Sequence, residues 1–142
     1  IKGLAFTHQL PIIGVPTLDI TVEAVPVQEK PLAAVLKAGR ERLAVGWYQP
    51  EGKQWRSTGK LENLSAAAFL ERIPEEIIVT GELSGKIRAQ LAEKNGVELA
   101  SPLEAIRSPK YLAGLAWQRW TAGESEDPVS LKPFYLHRTD PE

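Results

Sequence analysis

The sequence predicts an α/β domain built on a mixed sheet of about five strands, with helices on the faces of the sheet. Three extended segments come first: two apolar runs flank a glycine-containing turn, and a third run alternates between apolar and polar residues. From residue 65 onward the apolar period changes from two to about 3.6, and short strands alternate with helices. Three antiparallel strands followed by helix, strand, helix, strand and helix is the order of the ribonuclease H-like and actin-like subdomain.

The first 30 residues predict the end of a helix, a short strand and a short helix. Residues 1–9 have helical content but no preceding cap residue, as the last turns of a longer helix would. Residues 12–15 form an apolar run between two prolines and predict a buried strand. Thr17 is placed to cap a helix that continues to Val25.

The clearest strand signals follow. Residues 32–36 and 43–48 flank a turn in which Gly39 supplies the positive backbone angle that a hairpin requires. Residues 50–53 predict a second turn, and residues 54–58 alternate as a half-exposed third strand. Three antiparallel strands are therefore expected.

The second half of the chain predicts helices that begin at serine caps and strands that lie between them. In order, the predicted elements are a helix from Ser65 to Ile73, a strand over 76–80, a helix capped by Ser84, a strand over 97–100, a helix from Ser108 to Ala122 and an extended segment over 129–137. Ser108 is followed by proline at the first helical position, which is typical of a helix start.

The last predicted helix carries the most conspicuous apolar residues of the sequence. At 100° per residue, one of its faces is predicted to belong to the core, and that face comprises Leu112, Leu115, Ala116 and Trp120. Trp117 lies off the edge of the face. Tryptophan is enriched in interface hot spots, so Trp117 is a candidate partner contact, although partial burial within its own domain is the favoured interpretation.

Composition and charge exclude several classes of protein. The 142 residues, 43% hydrophobic and 25% charged, predict one globular domain over residues 1–142. The net charge of −1 supplies no overall field for nucleic acid or an anionic membrane, so direct nucleic-acid binding is not expected. The chain has no Cys and no apolar run near the ~20 residues of a membrane span, which predicts a cytoplasmic domain. Because it has no Met, further residues are expected before Ile1.

No catalytic constellation emerges from the residue patterns. Residues 81–86 lie between a strand and a helix, where a phosphate-binding loop would lie, but their spacing departs from that of a P-loop and favours an ordinary capped turn. His8 and His137 stand at opposite ends of the chain without metal-ligand spacing. The acidic residues at 75–76 and 124–127 favour a solvated edge over a metal site. No catalytic, metal-binding or cofactor-binding residue is therefore predicted.

Two motifs resemble the bacterial TsaB (YeaZ) family. Residues 2–5 read K-G-L-A and residues 10–18 read L-P-I-I-G-V-P-T-L, similar to a junction in which a helix ending in K-G-L-A leads into I-P-V-I-G-V-S-T-L. Residues 133–137 similarly resemble the closing P-x-Y-L-R of that family. The sequence departs from the family in its hairpin, where Lys37 and Arg42 replace two acids. It also departs at its end, where His137 replaces an arginine.

The resemblance implies a C-terminal lobe of a two-lobed actin-like protein, in which residues 1–9 are the tail of an inter-lobe helix and the N-terminal lobe is absent. The implied function is a non-catalytic scaffold in the complex that makes threonylcarbamoyladenosine in tRNA. There the family supports the transferase TsaD together with the ATPase TsaE, without a cofactor of its own.

The resemblance also suggests where partners bind. Because the family is implied to pair through helices of the N-terminal lobe, Lys2 and Phe6 become candidate interface residues. The absence of one lobe should also expose an apolar surface, so self-association, for example into a homodimer, is expected through residues 1–6 or the sheet surface beside them. The family is often labelled glycoprotease-like or peptidase-like. A metal-dependent peptidase or ribonuclease H-like hydrolase therefore remains the alternative function, and a nucleotide-binding module that resembles sugar kinases is a third.

Overall fold

A five-stranded mixed sheet forms the centre of the molecule, in the strand order β3-β2-β1-β4-β5. A computed structural model describes residues 1–133 and residue 136. Its elements are, in order, α1 (Lys2–Thr7), α2 (Thr17–Val22), β1 (Leu32–Lys37), β2 (Arg42–Glu51), β3 (Gln54–Ser65), α3 (Ala66–Arg72), β4 (Ile77–Gly81), α4 (Gly85–Ala92), β5 (Val97–Leu99) and α5 (Pro109–Thr121). The predicted fold class is confirmed.

The central strand β1 explains why the sheet is mixed. It pairs antiparallel with β2, from Leu32 opposite Tyr48 to Lys37 opposite Leu43. On its other side β1 pairs parallel with β4, which in turn pairs parallel with β5. Parallel neighbours need a crossover connection, and the helices α3 and α4 belong to these connections. Helices therefore cover the sheet, and β1 and β4 are buried on both faces.

Alternate residues of the central strands build two separate cores. One core, on the side of α3 and α4, includes Phe69, Ile87 and Leu91 together with Ala33, Val35, Val45, Ile77 and Val79. The other core, on the side of α2, includes Leu18 and Val22 together with Leu32, Ala34, Tyr48, Trp55 and Ile78. Successive side chains of a strand point to opposite faces, so one run of apolar residues supplies both layers.

Short polar contacts start the helices at the predicted serines. The Ser65 hydroxyl accepts a hydrogen bond from the Ala68 amide at 3.2 Å, and the Ser84 hydroxyl accepts one from the Ile87 amide at 3.3 Å. Both contacts satisfy amide donors that have no partner inside the helix. The hairpin turn between β1 and β2 also forms as predicted, because Gly39 adopts a φ of +96°.

The N-terminal predictions need correction. Residues 12–15 are not a strand: only Ile12 forms a single bridge, to Glu126. The adjacent Gly14 amide donates to the Glu126 side chain instead of to a neighbouring strand. Thr17 is not the N-cap of α2. Pro16 takes that position, and the helix ends at Val22 instead of Val25.

Strand β3 is longer than predicted and irregular. It runs from residue 54 to 65 instead of 54 to 58, and its register with β2 shifts between Gly46 and Tyr48. Residues 58–60 face the single residue Trp47 across this shift, which makes a β-bulge. Gly59 has a φ of +77° there. The bulge interrupts the simple alternation of apolar and polar residues, so the pattern alone shows only the first half of the strand.

The C-terminal predictions are correct for α5 and wrong for the residues directly after Asp127. Ser108 is the N-cap of α5, although its side chain makes no capping hydrogen bond. Residues 128–130 form a turn in place of the predicted extended segment, and the Leu131 amide donates to the Asp127 carbonyl oxygen. Phe134, Tyr135 and His137 lie outside the described residues.

None of the described helices is long and apolar enough to cross a membrane. The longest of them, α5, has 13 residues. A membrane-spanning helix needs about 20.

Candidate functional site

Large apolar side chains are exposed on α1 and α5. Phe6 is 68% exposed on α1, and Trp117 and Trp120 are 62% and 46% exposed on α5. The predicted assignment of Leu112, Leu115, Ala116 and Trp120 to the core is wrong, since α5 buries none of its residues. The side of the sheet that α5 approaches is already covered by α2, so α5 packs on α2 and keeps its apolar side chains outside the core.

Polar contacts attach α1 to the segment that follows α5, and α5 to the segment that follows α1. The Lys2 ammonium donates to the carbonyl oxygens of Val129 at 3.3 Å and Leu131 at 2.7 Å. The Arg119 guanidinium donates to the Gly14 carbonyl oxygen at 2.7 Å. Lys2, predicted as an interface residue, therefore holds the segment that follows α5 within its own chain. Phe6 and Trp117 are exposed and available to a partner.

A polar cluster of three residues attaches α5 to α2 and the sheet. The Asp19 carboxylate accepts from the Tyr48 hydroxyl at 2.8 Å and from the Arg119 guanidinium at 3.1 Å. Burial and the nearby Asp19 carboxylate raise the pKa of the Tyr48 hydroxyl far above its ordinary value. The hydroxyl therefore stays protonated at neutral pH and donates to Asp19.

A cavity of about 220 Å³ opens beside this cluster. Its wall includes Glu23, Glu51, Gln54, Gln118 and Arg119. Burial, and then the charge of Asp19, raise the pKa of Glu23. The volume falls below the roughly 300–1,000 Å³ of small-molecule sites, which makes the cavity a gap between α5 and the sheet.

Asp19→Asn is expected to lower the free energy of unfolding by about 1–3 kcal/mol, because the substitution removes the anion that Arg119 and Tyr48 share. Urea denaturation followed by tryptophan fluorescence measures this loss. Glu124→Gln is a matched control, since Glu124 is exposed, and should change stability by less than about 0.5 kcal/mol. Equal effects of the two substitutions would show that the cluster does not hold α5.

The carboxyl ends of the parallel strands β1, β4 and β5 lie at one edge of the sheet, the position at which open α/β sheets bind ligands. One carboxylate at this edge is engaged in holding loops together. Glu82 accepts from the Lys37 amide at 3.1 Å and pairs with the Arg107 guanidinium at 2.6 Å. Residues 81–86 thus form the predicted capped turn, closed by Ser84.

Two of the other acidic residues singled out in the sequence also make structural contacts. Glu126 accepts from the Gly14 amide at 3.0 Å, and Asp127 accepts from the Val129 amide at 3.0 Å. Over residues 1–133 and 136, no group of three or more His, Cys, Asp or Glu side chains is placed to hold a metal ion. His8 is the C-cap of α1, and His137 falls outside the described part of the chain.

No protein-family model and no curated protein matches the sequence. Solved structures do match it. A crystal structure described as an uncharacterized protein with similarity to peptidase YEAZ from Pseudomonas aeruginosa superposes with a TM-score of 0.72 and 22% identity over 96% of this chain. YeaZ from Pseudomonas aeruginosa superposes with a TM-score of 0.69 and 22% identity over 95% of this chain. The chain folds like YeaZ.

The match covers this chain almost completely but not the neighbours. It extends over 64% of the length of each of the two solved chains. At 22% identity the likeness concerns the fold, and it agrees with the YeaZ resemblance of the sequence motifs. The exposed apolar residues of α1 and α5 and the Asp19 cluster therefore lie in a domain that folds like YeaZ.

Sequence reasoning missed the Asp19 cluster. Asp19 and Tyr48 are 29 residues apart, and Asp19 and Arg119 are 100 residues apart. No local spacing links the three positions, so the packing of α5 on α2 was needed to bring them together.

Proposed function

We propose that this chain is the C-terminal lobe of a two-lobed, non-catalytic subunit in the complex that makes threonylcarbamoyladenosine in tRNA. In that complex it supports a TsaD-like transferase, together with a TsaE-like ATPase. The observation that carries the proposal is the exposure of large apolar side chains on α1 and α5 in a domain that folds like YeaZ.

Exposed apolar residues of this size indicate a surface that a partner or a second lobe covers. Burying a side chain such as Phe6 contributes about 1.5–3 kcal/mol, and large apolar patches on a protein surface commonly mark interaction sites. Phe6 is 68% exposed on a helix whose Lys2 is engaged within the chain. In this proposal α1 ends an inter-lobe helix, and Phe6 and Trp117 contact the other lobe or subunit.

A scaffold role is favoured because carboxylates on or directly after the parallel strands make structural contacts. Glu82 joins two loops, and Glu98 on β5 accepts from Gln28 at 3.4 Å and lies 3.8 Å from the Lys30 ammonium. One structural neighbour is described as similar to a peptidase, so a hydrolase is the alternative. Metal-dependent cleavage of a peptide or RNA that is lost in Glu82→Gln would favour the hydrolase.

Binding to a purified TsaD-like transferase tests the scaffold role. The full-length two-lobed protein is expected to retain the transferase in a pull-down, and this chain alone should bind it weakly, because the family is implied to pair through the N-terminal lobe. Tight binding by this chain alone would contradict that assignment, and no binding by the full-length protein would contradict the scaffold role.

Phe6→Asp in the full-length protein is expected to weaken transferase binding at least tenfold, since it places a charge on α1. A tenfold loss corresponds to about 1.4 kcal/mol. Leu103→Asp is the matched control, because Leu103 is 79% exposed but lies in the turn before α5. Isothermal calorimetry of both variants measures the difference, and equal losses would remove α1 from the proposed interface.

A further inference from the structure

Charged side chains are distributed unevenly between the two ends of the parallel strands. We define the carboxyl edge as residues 37–42, 81–88 and 100–110, which follow β1, β4 and β5 or adjoin their last residues. Seven cations lie in these segments, namely Lys37, Arg40, Arg42, Lys86, Arg88, Arg107 and Lys110. Three anions accompany them, namely Glu41, Glu82 and Glu104. The carboxyl edge is therefore strongly basic.

The opposite end of the sheet has the reverse balance. We define the amino edge as residues 28–31, 49–56, 74–77 and 92–98, which surround the starts of β1, β4 and β5 and the turn between β2 and β3. Six anions lie there, namely Glu29, Glu51, Glu75, Glu76, Glu93 and Glu98, against the four cations Lys30, Lys53, Arg56 and Lys94. The net charge of −1 for the whole chain conceals this separation.

The anions of the carboxyl edge neutralise little of its positive charge. The Glu82 carboxylate accepts from the Lys37 amide and pairs with Arg107, and Glu104 accepts from the Ser101 amide at 2.7 Å. Among the described residues Arg107 is the one cation of this edge that makes a salt bridge. Lys37, Arg40 and Lys86 are exposed. Their positive charge faces solvent.

Two of the arginines are held in place by neutral partners. Arg42 donates to the Asn63 side chain at 3.0 Å and to the Asn63 carbonyl oxygen at 2.8 Å, and Arg88 donates to the Ala100 carbonyl oxygen at 2.6 Å. These contacts fix the guanidinium groups without cancelling their charge. An arginine has five N–H donors, so the N–H groups that these contacts leave unused can donate to the oxygens of a phosphate group.

The cations form a row instead of converging on one point. Lys37 ends β1 and Arg42 begins β2, and the other cations lie in the loops and helix starts that follow β1, β4 and β5. These four strands are adjacent in the sheet. Neighbouring strands lie about 4.8 Å apart, so the row extends over roughly 15 Å. A row of this length can contact more than one phosphate of a nucleic-acid backbone. This geometry suits an extended polyanion.

We propose that the carboxyl edge binds the phosphate backbone of RNA. Cores of protein interfaces are enriched in aromatic residues and depleted of charge, whereas this edge is rich in charge and its large exposed apolar residues are Leu103 and Ile106 of one turn. Lys37 and Arg42 are also the positions at which the sequence carries cations in place of the acids of the TsaB resemblance.

The inference rests on the charge distribution and extends the proposed function, because that function acts on tRNA. It differs from the expectation drawn from the net charge, since a sum over the sequence does not show where charges lie. Contacts to phosphates alone carry no sequence information, so binding is expected to be non-specific and salt-dependent.

Fluorescence anisotropy with a labelled 20-nucleotide RNA duplex tests the proposal without any transferase, so failure here leaves the scaffold role standing. We expect a Kd of about 10⁻⁴ to 10⁻⁶ M near physiological salt, and weaker binding as salt rises. The double variant Lys37→Glu with Lys86→Glu should bind at least tenfold more weakly and with a shallower salt dependence. Absence of binding by the unmodified chain would overturn the proposal.

The amino edge supplies a control with the same change in net charge. Lys53→Glu with Lys94→Glu alters two lysines that are exposed, like Lys37 and Lys86. This control should bind RNA within about threefold of the unmodified chain, since its changes lie far from the proposed site. Equal losses of RNA affinity in the two double variants would overturn the proposal, because the net charge of the chain and not the carboxyl edge would then explain the binding. Tighter binding of polyglutamate than of RNA would overturn it in favour of an acidic protein.

Discussion

Gly81→Ala is expected to lower the free energy of unfolding by about 3 kcal/mol or more, because it combines backbone strain with a steric overlap. Gly81 has a φ of +105°, a conformation that residues with a side chain rarely adopt. A Cβ atom at this position would stand 2.1 Å from the Val35 carbonyl oxygen. That oxygen already accepts the Glu82 amide at 2.7 Å and has little freedom to move.

Gly39→Ala separates the two causes of this loss. Gly39 also has a positive φ, of +96°, but a Cβ atom there would meet nothing within 4 Å. Its substitution should cost only the backbone strain, about 1–2 kcal/mol. Chemical denaturation of both variants measures the difference, and equal losses at the two positions would show that the contact with Val35 is unimportant.

Phe69→Ala is expected to cost about 3–5 kcal/mol, since Phe69 is completely buried and is the largest side chain so enclosed among the described residues. Phe69 joins α3 to the sheet, and its ring lies 6.3 Å from that of Trp47 on β2. Removing the ring leaves a cavity that the surrounding strands close only in part. Thermal and urea denaturation should both report the loss.

Phe6→Ala provides the matched control for Phe69→Ala. The same atoms are removed from an exposed position on α1, so stability should change by less than about 0.5 kcal/mol. A loss as large as that of Phe69→Ala would mean that α1 contributes to the core of the isolated domain. That result would also contradict the availability of Phe6 to a partner.

The central strands could be predicted from the sequence because their signal is local. Residues 32–48 combine apolar runs with a glycine at the turn, and the structure forms β1 and β2 there. Ser65 and Ser84 also carry their signal locally, since a cap contacts an amide three residues away. These elements do not depend on what packs against them.

The exposed face of α5 could not be predicted in this way. A helical wheel shows that Leu112, Leu115 and Trp120 share a face, but it does not show what lies opposite that face. In the structure α2 already covers the sheet, so the apolar face of α5 has no core to enter. The strand predicted over residues 12–15 is wrong for a related reason, because within residues 1–133 and 136 this run makes only the single bridge of Ile12 to Glu126.

The candidate sites depend on contacts that are distant in the sequence. Asp19, Tyr48 and Arg119 meet only after α5 has packed on α2. The basic carboxyl edge likewise requires the strand order, which places the ends of β2, β1, β4 and β5 side by side. Net charge is a sum over residues and is insensitive to such an arrangement.

The bulge in β3 has a consequence for how the protein behaves at high concentration. β3 is the 12-residue outer strand of the sheet, and an outer strand of that length offers free amides and carbonyls on which another chain can add, as in amyloid. Residues 58–60 depart from the regular spacing that such addition requires, and Lys60 adds a charge at the same place. The domain therefore exposes apolar side chains on two helices, whereas its longest strand disfavours the edge-to-edge addition of strands that builds fibres.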